Sequence, residues 1–154
     1  MAAAEMLTPT TELEAINAML HTIGEAPVNT LTGELNYEVS IAVSTLAEVS
    51  REIQTQGWKF NRNPRYRLMP DENGELRLPT NALAIATHPD YMSRYSLVSR
   101  GDKVISYSET RGEVTKFTEP VDCILVICLP FEQLPESARR YVLIRAARLF
   151  QDRV

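Results

Sequence analysis

The hydrophobic period of this chain changes twice, and that restricts it to one class of architecture. Apolar residues fall three and four apart as far as Ile53, alternate from Trp58 onward, and return to helical spacing after Pro130 and Pro135. A helix buries a stripe that recurs about every 3.6 residues, whereas a strand buries every second side chain, so the two patterns are not interchangeable. The order helices, strands, helix predicts an α+β fold. Two N-terminal helices and a C-terminal helix form an antiparallel bundle, with a largely antiparallel β-sheet inserted between them. On this reading residues 1–154 are a single domain, the bundle drawn from 11–57 and 131–154 and the β-rich insertion from 58–130.

Residues 1–10 read as a loose arm. The first helix starts at the capping box Thr11-Glu12-Leu13-Glu14, carries Leu13, Ile16, Leu20 and Ile23 on one face, and stops at Gly24. A second helix is marked by Val39, Ala42, Leu46, Val49 and Ile53 with Gly57 at its end, and the Pro27–Gly33 connection makes the two an antiparallel pair. Strands are expected at Tyr66–Met69, Glu75–Leu78, Leu83–Ala86, Tyr95–Ser99, Lys103–Tyr107, Val114–Phe117 and Cys123–Leu129. Asn73-Gly74, Arg100-Gly101-Asp102 and Arg111-Gly112 supply the turns between them. The third helix carries Val142, Leu143, Ala146, Leu149 and Phe150. There is no internal repeat and no low-complexity tract.

Composition removes several functions. With 44% apolar and 23% charged residues the chain has an ordinary globular balance. A net charge of −4 argues against wrapping nucleic acid, which needs clustered Lys and Arg, although a local basic patch remains compatible with it. Met1-Ala2-Ala3-Ala4-Glu5 has no basic n-region and no apolar run after it, so no secretory signal is expected. The longest apolar run, Cys123–Leu129, is far short of the roughly 20 residues of a membrane span, and no membrane association is expected. Both cysteines lie in that run, five positions apart on opposite faces of a strand and roughly 16 Å apart, too far for a disulfide. Synthesis in a reducing cytoplasm follows.

Little in the sequence carries chemistry. All six glycines fall at expected helix ends or turns, and no phosphate-cradling loop remains. His21 and His88 cannot make a three-ligand zinc site unaided, so neither metal nor cofactor is expected. No serine sits in a nucleophile elbow, and neither cysteine has a basic neighbour in sequence. Asp71, Glu72 and Glu75 cluster at the Asn73-Gly74 turn and are the sequence support for a glycoside hydrolase, which needs two suitably spaced carboxylates; a solvated hairpin tip is the expected reading of them. Arg100-Gly101-Asp102 spells a cell-adhesion tripeptide at a hairpin tip and would serve a host-surface binding module, although turn chemistry alone explains it. Trp58 and Phe60 read either as an exposed aromatic anchor or as a buried plug where sheet meets bundle, and the plug is the expectation.

Three stretches look like one family. They are Glu14-Ala15-Ile16-Asn17 leading to Ile23-Gly24-Glu25-Ala26-Pro27-Val28, Arg51-Glu52-Ile53-Gln54 leading to Gly57-Trp58-Lys59-Phe60-Asn61, and Leu134-Pro135-Glu136 leading to Ala146-Ala147-Arg148-Leu149-Phe150-Gln151. In these segments the chain resembles the tail tubular protein A adaptors of short-tailed, T-seven-like podophages. The likeness covers most of 11–154 and is thin between about Arg65 and Pro120. It implies a virion protein without catalysis, one subunit of a dodecameric ring. That ring sits beneath the portal protein, joins the tubular nozzle protein (tail tubular protein B), helps seat the tail fibre, and lets double-stranded DNA pass during ejection. An acidic balance suits a channel wall that must not grip DNA. Family members continue past the position of Val154 with an acidic segment and a flexible tail, so the resemblance implies either a truncated piece or a natural short form.

The third helix offers the partner-facing surface. Tyr141, Arg145, Arg148 and Asp152 are spaced four, three and four and share a face opposite Leu143, Ala146 and Phe150. Tyr and Arg are enriched at interface centres, and a portal surface or neighbouring subunit is the expected partner. The apolar stripes of the first two helices are only one face wide, so the isolated chain is expected to be monomeric until a portal templates the ring.

Overall fold

The computed structural model describes residues 7–154 and divides them into two compact units. One takes in the chain up to Ile53 and again Leu129–Val154; the other is Gln54–Cys128. The expected loose arm lies outside the described residues for positions 1–6.

The first unit contains α1 (Glu12–Thr22), most of α2 (Tyr37–Gln54) and α3 (Glu136–Arg153). Thr11 caps α1, its hydroxyl accepting from the Glu14 N–H at 3.1 Å. At the other end Glu25 N–H reaches Leu20 O and Gly24 N–H reaches His21 O, the paired bonds that close a helix on a left-handed residue. Gly24 takes that position at φ +78°. Asn17, midway along α1, clasps the connection to α2, its amide bonding both the carbonyl and the N–H of Val28 at 3.0 and 2.8 Å. The Asn36 side chain then caps α2 through the Val39 N–H.

Helix directions follow from the polar contacts along the unit. Thr10, just ahead of α1, bonds Glu136 at the start of α3, and Thr22 at the end of α1 lies 3.5 Å from the Gln151 amide near the end of α3. These two helices therefore run parallel. Glu52 and Glu48 of α2 pair with Arg145 and Arg153 in reversed order, so α2 runs against α3. Ile16, Met19 and Leu20 of α1, Ala42, Leu46 and Val49 of α2, and Val142, Ala146 and Phe150 of α3 are all buried. Helix α3 begins a turn and a half before Val142, where the sequence periodicity first shows it, because Pro135 occupies its N-cap. That early turn contains Arg139, which is 9% exposed and spends its guanidinium on main-chain carbonyls. It donates to Leu134 O at 2.8 Å, to Thr10 O at 2.6 Å and to Glu132 O.

The second unit holds seven strands, all paired antiparallel, in two sheets rather than the single sheet expected. The first has the order β1 (Arg62–Leu68), β7 (Val121–Ile127), β3 (Ala82–Thr87); the second has β2 (Leu76–Arg77), β5 (Lys103–Ser108), β4 (Leu97–Arg100), with β6 (Gly112–Val114) also on β5. Alternation on β7 sends Val121, Cys123 and Leu125 into a core shared with Leu68, Leu76, Leu97, Val104 and Phe117. Both cysteines are free. Burial pushes the Cys123 thiol up to about 11, which keeps it an inert core residue.

At the entrance to this unit the plug is Asn61 and not Trp58, which is 43% exposed. Gly57 turns the chain at φ +77°, where a side chain would also press on Val126. The next turn, closed by Asn61 N–H to Trp58 O, carries Asn61 inward to 2% exposure. Its amide donates to Gln54 O at 2.7 Å and to Ile127 O at 3.0 Å. The amide reaches both carbonyls at once, adding to the Gly57 N–H that Gln54 O already accepts, whereas an indole has only one N–H to give. Phe60 is partly buried.

Candidate functional site

On α3 the four residues Tyr141, Arg145, Arg148 and Asp152 are all exposed. At about 100° per residue they fall within an arc of about 60°, opposite the buried Leu143, Ala146 and Phe150. Tyr141 is half exposed, and beside it stands Ile144, 48% exposed, which belongs to the same surface. The sequence did signal Ile144: it is an isoleucine out of phase with the core stripe, and an apolar residue on the wet side of an amphipathic helix has reason to meet something else. Arg148 has no ion-pair partner among the described residues. Arg145 is partly committed, with its Nη2 3.2 Å from Glu52 of α2. The surface thus combines one aromatic ring, one aliphatic side chain and one unpaired guanidinium, a composition typical of interface centres.

The other candidates fold into local networks. Asp71 accepts the Glu75 and Asn73 N–H groups on Oδ1 and the Arg77 guanidinium on Oδ2. Those bonds, the Glu75 N–H first, hold its carboxyl below the usual aspartate range. Glu75 is likewise held low by the Lys103 ammonium, 2.7 Å away. Glycoside hydrolysis requires one carboxyl kept protonated by a raised pKa, and these two are pushed the other way. Glu72 is exposed at the turn. The tripeptide Arg100-Gly101-Asp102 does sit at the β4–β5 tip, but its charges are engaged, Arg100 with Glu113 and Asp102 with Arg77 at 2.8 Å. His88 caps a single turn of 3-10 helix, its Nδ1 accepting from the Asp90 N–H, while His21 is exposed. Among the described residues no group of three or more His, Cys, Asp or Glu could hold a metal ion, and no helix is long and apolar enough to cross a membrane.

One charged site escaped the sequence reading. Asp122 is 1% exposed on the face of β7 that points away from the core, bonded to Arg67 at 2.9 Å and Arg65 at 2.8 Å, with Asp90 closing the chain of charges at 3.0 Å from Arg65. The Arg67 and Arg65 hydrogen bonds outweigh burial and hold its carboxyl below the usual range. An aspartate at the head of an apolar strand was the available signal.

Comparison with known proteins agrees with the three motif segments. Residues 13–154 match the family model described as tail tubular protein. Among curated proteins, tail tubular protein A of Klebsiella phage KP34 is 31% identical over 131 residues, which are 85% of this chain and 66% of that protein. The chain therefore spans somewhat under two thirds of the length of this curated relative.

Proposed function

Since the chain belongs to the tail tubular protein family and is a structural component of a phage tail, hence of the virion, we propose that it is one subunit of a homo-oligomeric adaptor ring. In this reading the ring is dodecameric, joins the portal protein to the tail nozzle, helps seat the tail fibre and lets double-stranded DNA pass during ejection. The exposed α3 surface is the observation that carries the docking role. Tyr141 and Ile144 offer apolar area, and Arg148 offers a guanidinium with no ion-pair partner among the described residues to a carboxylate on the portal or on a neighbouring subunit. Asp152 lies at the end of the same face, and Arg145 is shared with Glu52.

The test is capture of the protein by immobilised portal. Arg145→Glu with Arg148→Glu should reduce capture steeply, most of all at low salt, where repulsion is least screened. Arg148→Glu alone should account for most of the loss, because Arg145 already serves an intramolecular pair. Both variants should melt close to the parent protein, since exposed charges contribute little to stability. Without portal the parent protein should sediment as a monomer. Full capture of the double variant, with its circular dichroism unchanged, would reduce the stripe to solvated surface.

A further inference from the structure

A cleft of about 440 Å³ in the second unit is lined by Ser93, Arg94, Tyr95, Ser106, Ser108, Arg111 and Val114, with no carboxylate in its wall. In a chain with 20 acidic and 16 basic residues, a lining of two cations and several hydroxyls is against the general balance. Arg94 is held in place from three sides. Its guanidinium carbon lies 5.1 Å from the centre of the Tyr91 ring and 5.7 Å from that of Tyr95, and its Nη1 donates to Glu119 at 2.6 Å. A guanidinium has five N–H donors, and the Glu119 contact engages only Nη1. Arg111 has no ion-pair partner among the described residues, and its charge is not cancelled. Ser106 is 3% exposed and its oxygen accepts from the Ser96 N–H at 3.0 Å, which leaves the hydroxyl proton to donate.

We propose that this cleft binds a phosphomonoester-class anion, a phosphate group carried on a small polar body. Two guanidinium forks and adjacent hydroxyls supply more donors than a carboxylate accepts comfortably, and they match the three terminal oxygens of a phosphate. The volume lies in the range of small-molecule pockets and is larger than a bare phosphate fills, so the ligand has a body. The wall beside it is mixed, Ser93 and Ser108 offering hydroxyls and Tyr95 and Val114 an apolar face, which suits a sugar-like body. Arg94 is the preorganised element, and Arg111 closes from the β5–β6 turn.

The test follows backbone amide resonances of the full chain during titration with glucose 6-phosphate, inorganic phosphate and neutral glucose. Glucose 6-phosphate should give saturable shifts confined to Ser93–Ser96 and Ser106–Val114. Inorganic phosphate should shift the same amides more weakly, and glucose should not shift them. Arg111→Gln should weaken binding at least about tenfold, the loss expected of one charge-assisted contact. The variant's melting temperature should not move, and Arg111→Lys should recover part of the affinity. Absence of saturable shifts with either phosphate, unchanged affinity in Arg111→Gln, or an equal response to glucose would each overturn the assignment. Equal affinities for inorganic phosphate and the monoester would overturn the role given to the ligand's body.

Discussion

Substitution of Asn61 separates a polar plug from a merely buried small residue. Its amide makes two hydrogen bonds, at 2.7 Å to Gln54 O and 3.0 Å to Ile127 O, while its Oδ1 is buried without a partner among the described residues. Asn61→Ala removes two bonds at about 1 kcal/mol each and also removes the unpartnered oxygen, for a net cost of about 1–2 kcal/mol. Asn61→Asp keeps the size but is acceptor-only when ionised, and places a charge against two carbonyl oxygens. At neutral pH that should cost about 3–5 kcal/mol, as uncompensated buried charges do. The sign with pH is fixed. The new carboxyl has a folded-state pKa raised above its unfolded value, so the fold binds the proton more tightly. Its penalty then shrinks as pH falls through that raised value, because the protonated acid can donate to one carbonyl. Urea titrations of parent, Asn61→Ala and Asn61→Asp, read by the emission of Trp58 as the single tryptophan and by far-ultraviolet circular dichroism, give the three stabilities at each pH. An Asn61→Ala protein within about 0.5 kcal/mol of the parent, or a gap between the two variants that stays constant from neutral pH into the acid range, would refute the two-carbonyl account.

Two further outcomes test the same structure. Trp58→Ala should cost about 2 kcal/mol, less than truncation of a fully enclosed aromatic, because the ring is 43% exposed; a loss above about 4 kcal/mol in chemical denaturation would restore the plug assignment. Asp122 has a folded-state pKa depressed by Arg67 and Arg65, so it contributes stability present above the ordinary aspartate value and lost as pH falls through the lower folded one. Asp122→Asn should therefore flatten the acid limb of the stability profile below about pH 4, and an acid limb identical to the parent's would contradict the pairing.

The sequence made the helices legible because each stripe repeats over several turns, and the first is also bounded by a capping residue and a glycine, at Thr11 and Gly24. It located all seven strands but not their bounds or partners. The sixth was expected at Val114–Phe117 and lies at Gly112–Val114. Phe117 instead leaves the strand, gives its N–H to Gly74 O and fills the core of the unit. Alternation reports which face of a strand is wet, not which strand lies beside it, so the division into two sheets had no local signature. The α3 surface was legible because phase along one helix is a local property. The roles of Asn61 and Asp122 depend on Ile127 and on Arg65 and Arg67, 66, 57 and 55 positions away in the chain, and no pattern within one segment records such pairings. The second motif is conspicuous for its aromatic pair, yet the residue that fastens the turn is the asparagine closing it.

Arg139 bonds the main chain of Thr10, Glu132 and Leu134 and takes nothing from their side chains. Carbonyl oxygens are the same in every amino acid, so this clamp does not read the identity of its clients. Positions 10 and 132 are free to drift as far as Arg139 is concerned, provided the backbone keeps its path, while position 139 needs a planar, permanently charged group with several donors. Lysine keeps the charge and loses the fork, and glutamine keeps two donors and loses the third. A substitution at position 139 therefore releases three main-chain carbonyls at once, whereas one at position 10 or 132 leaves the clamp's own bonds in place.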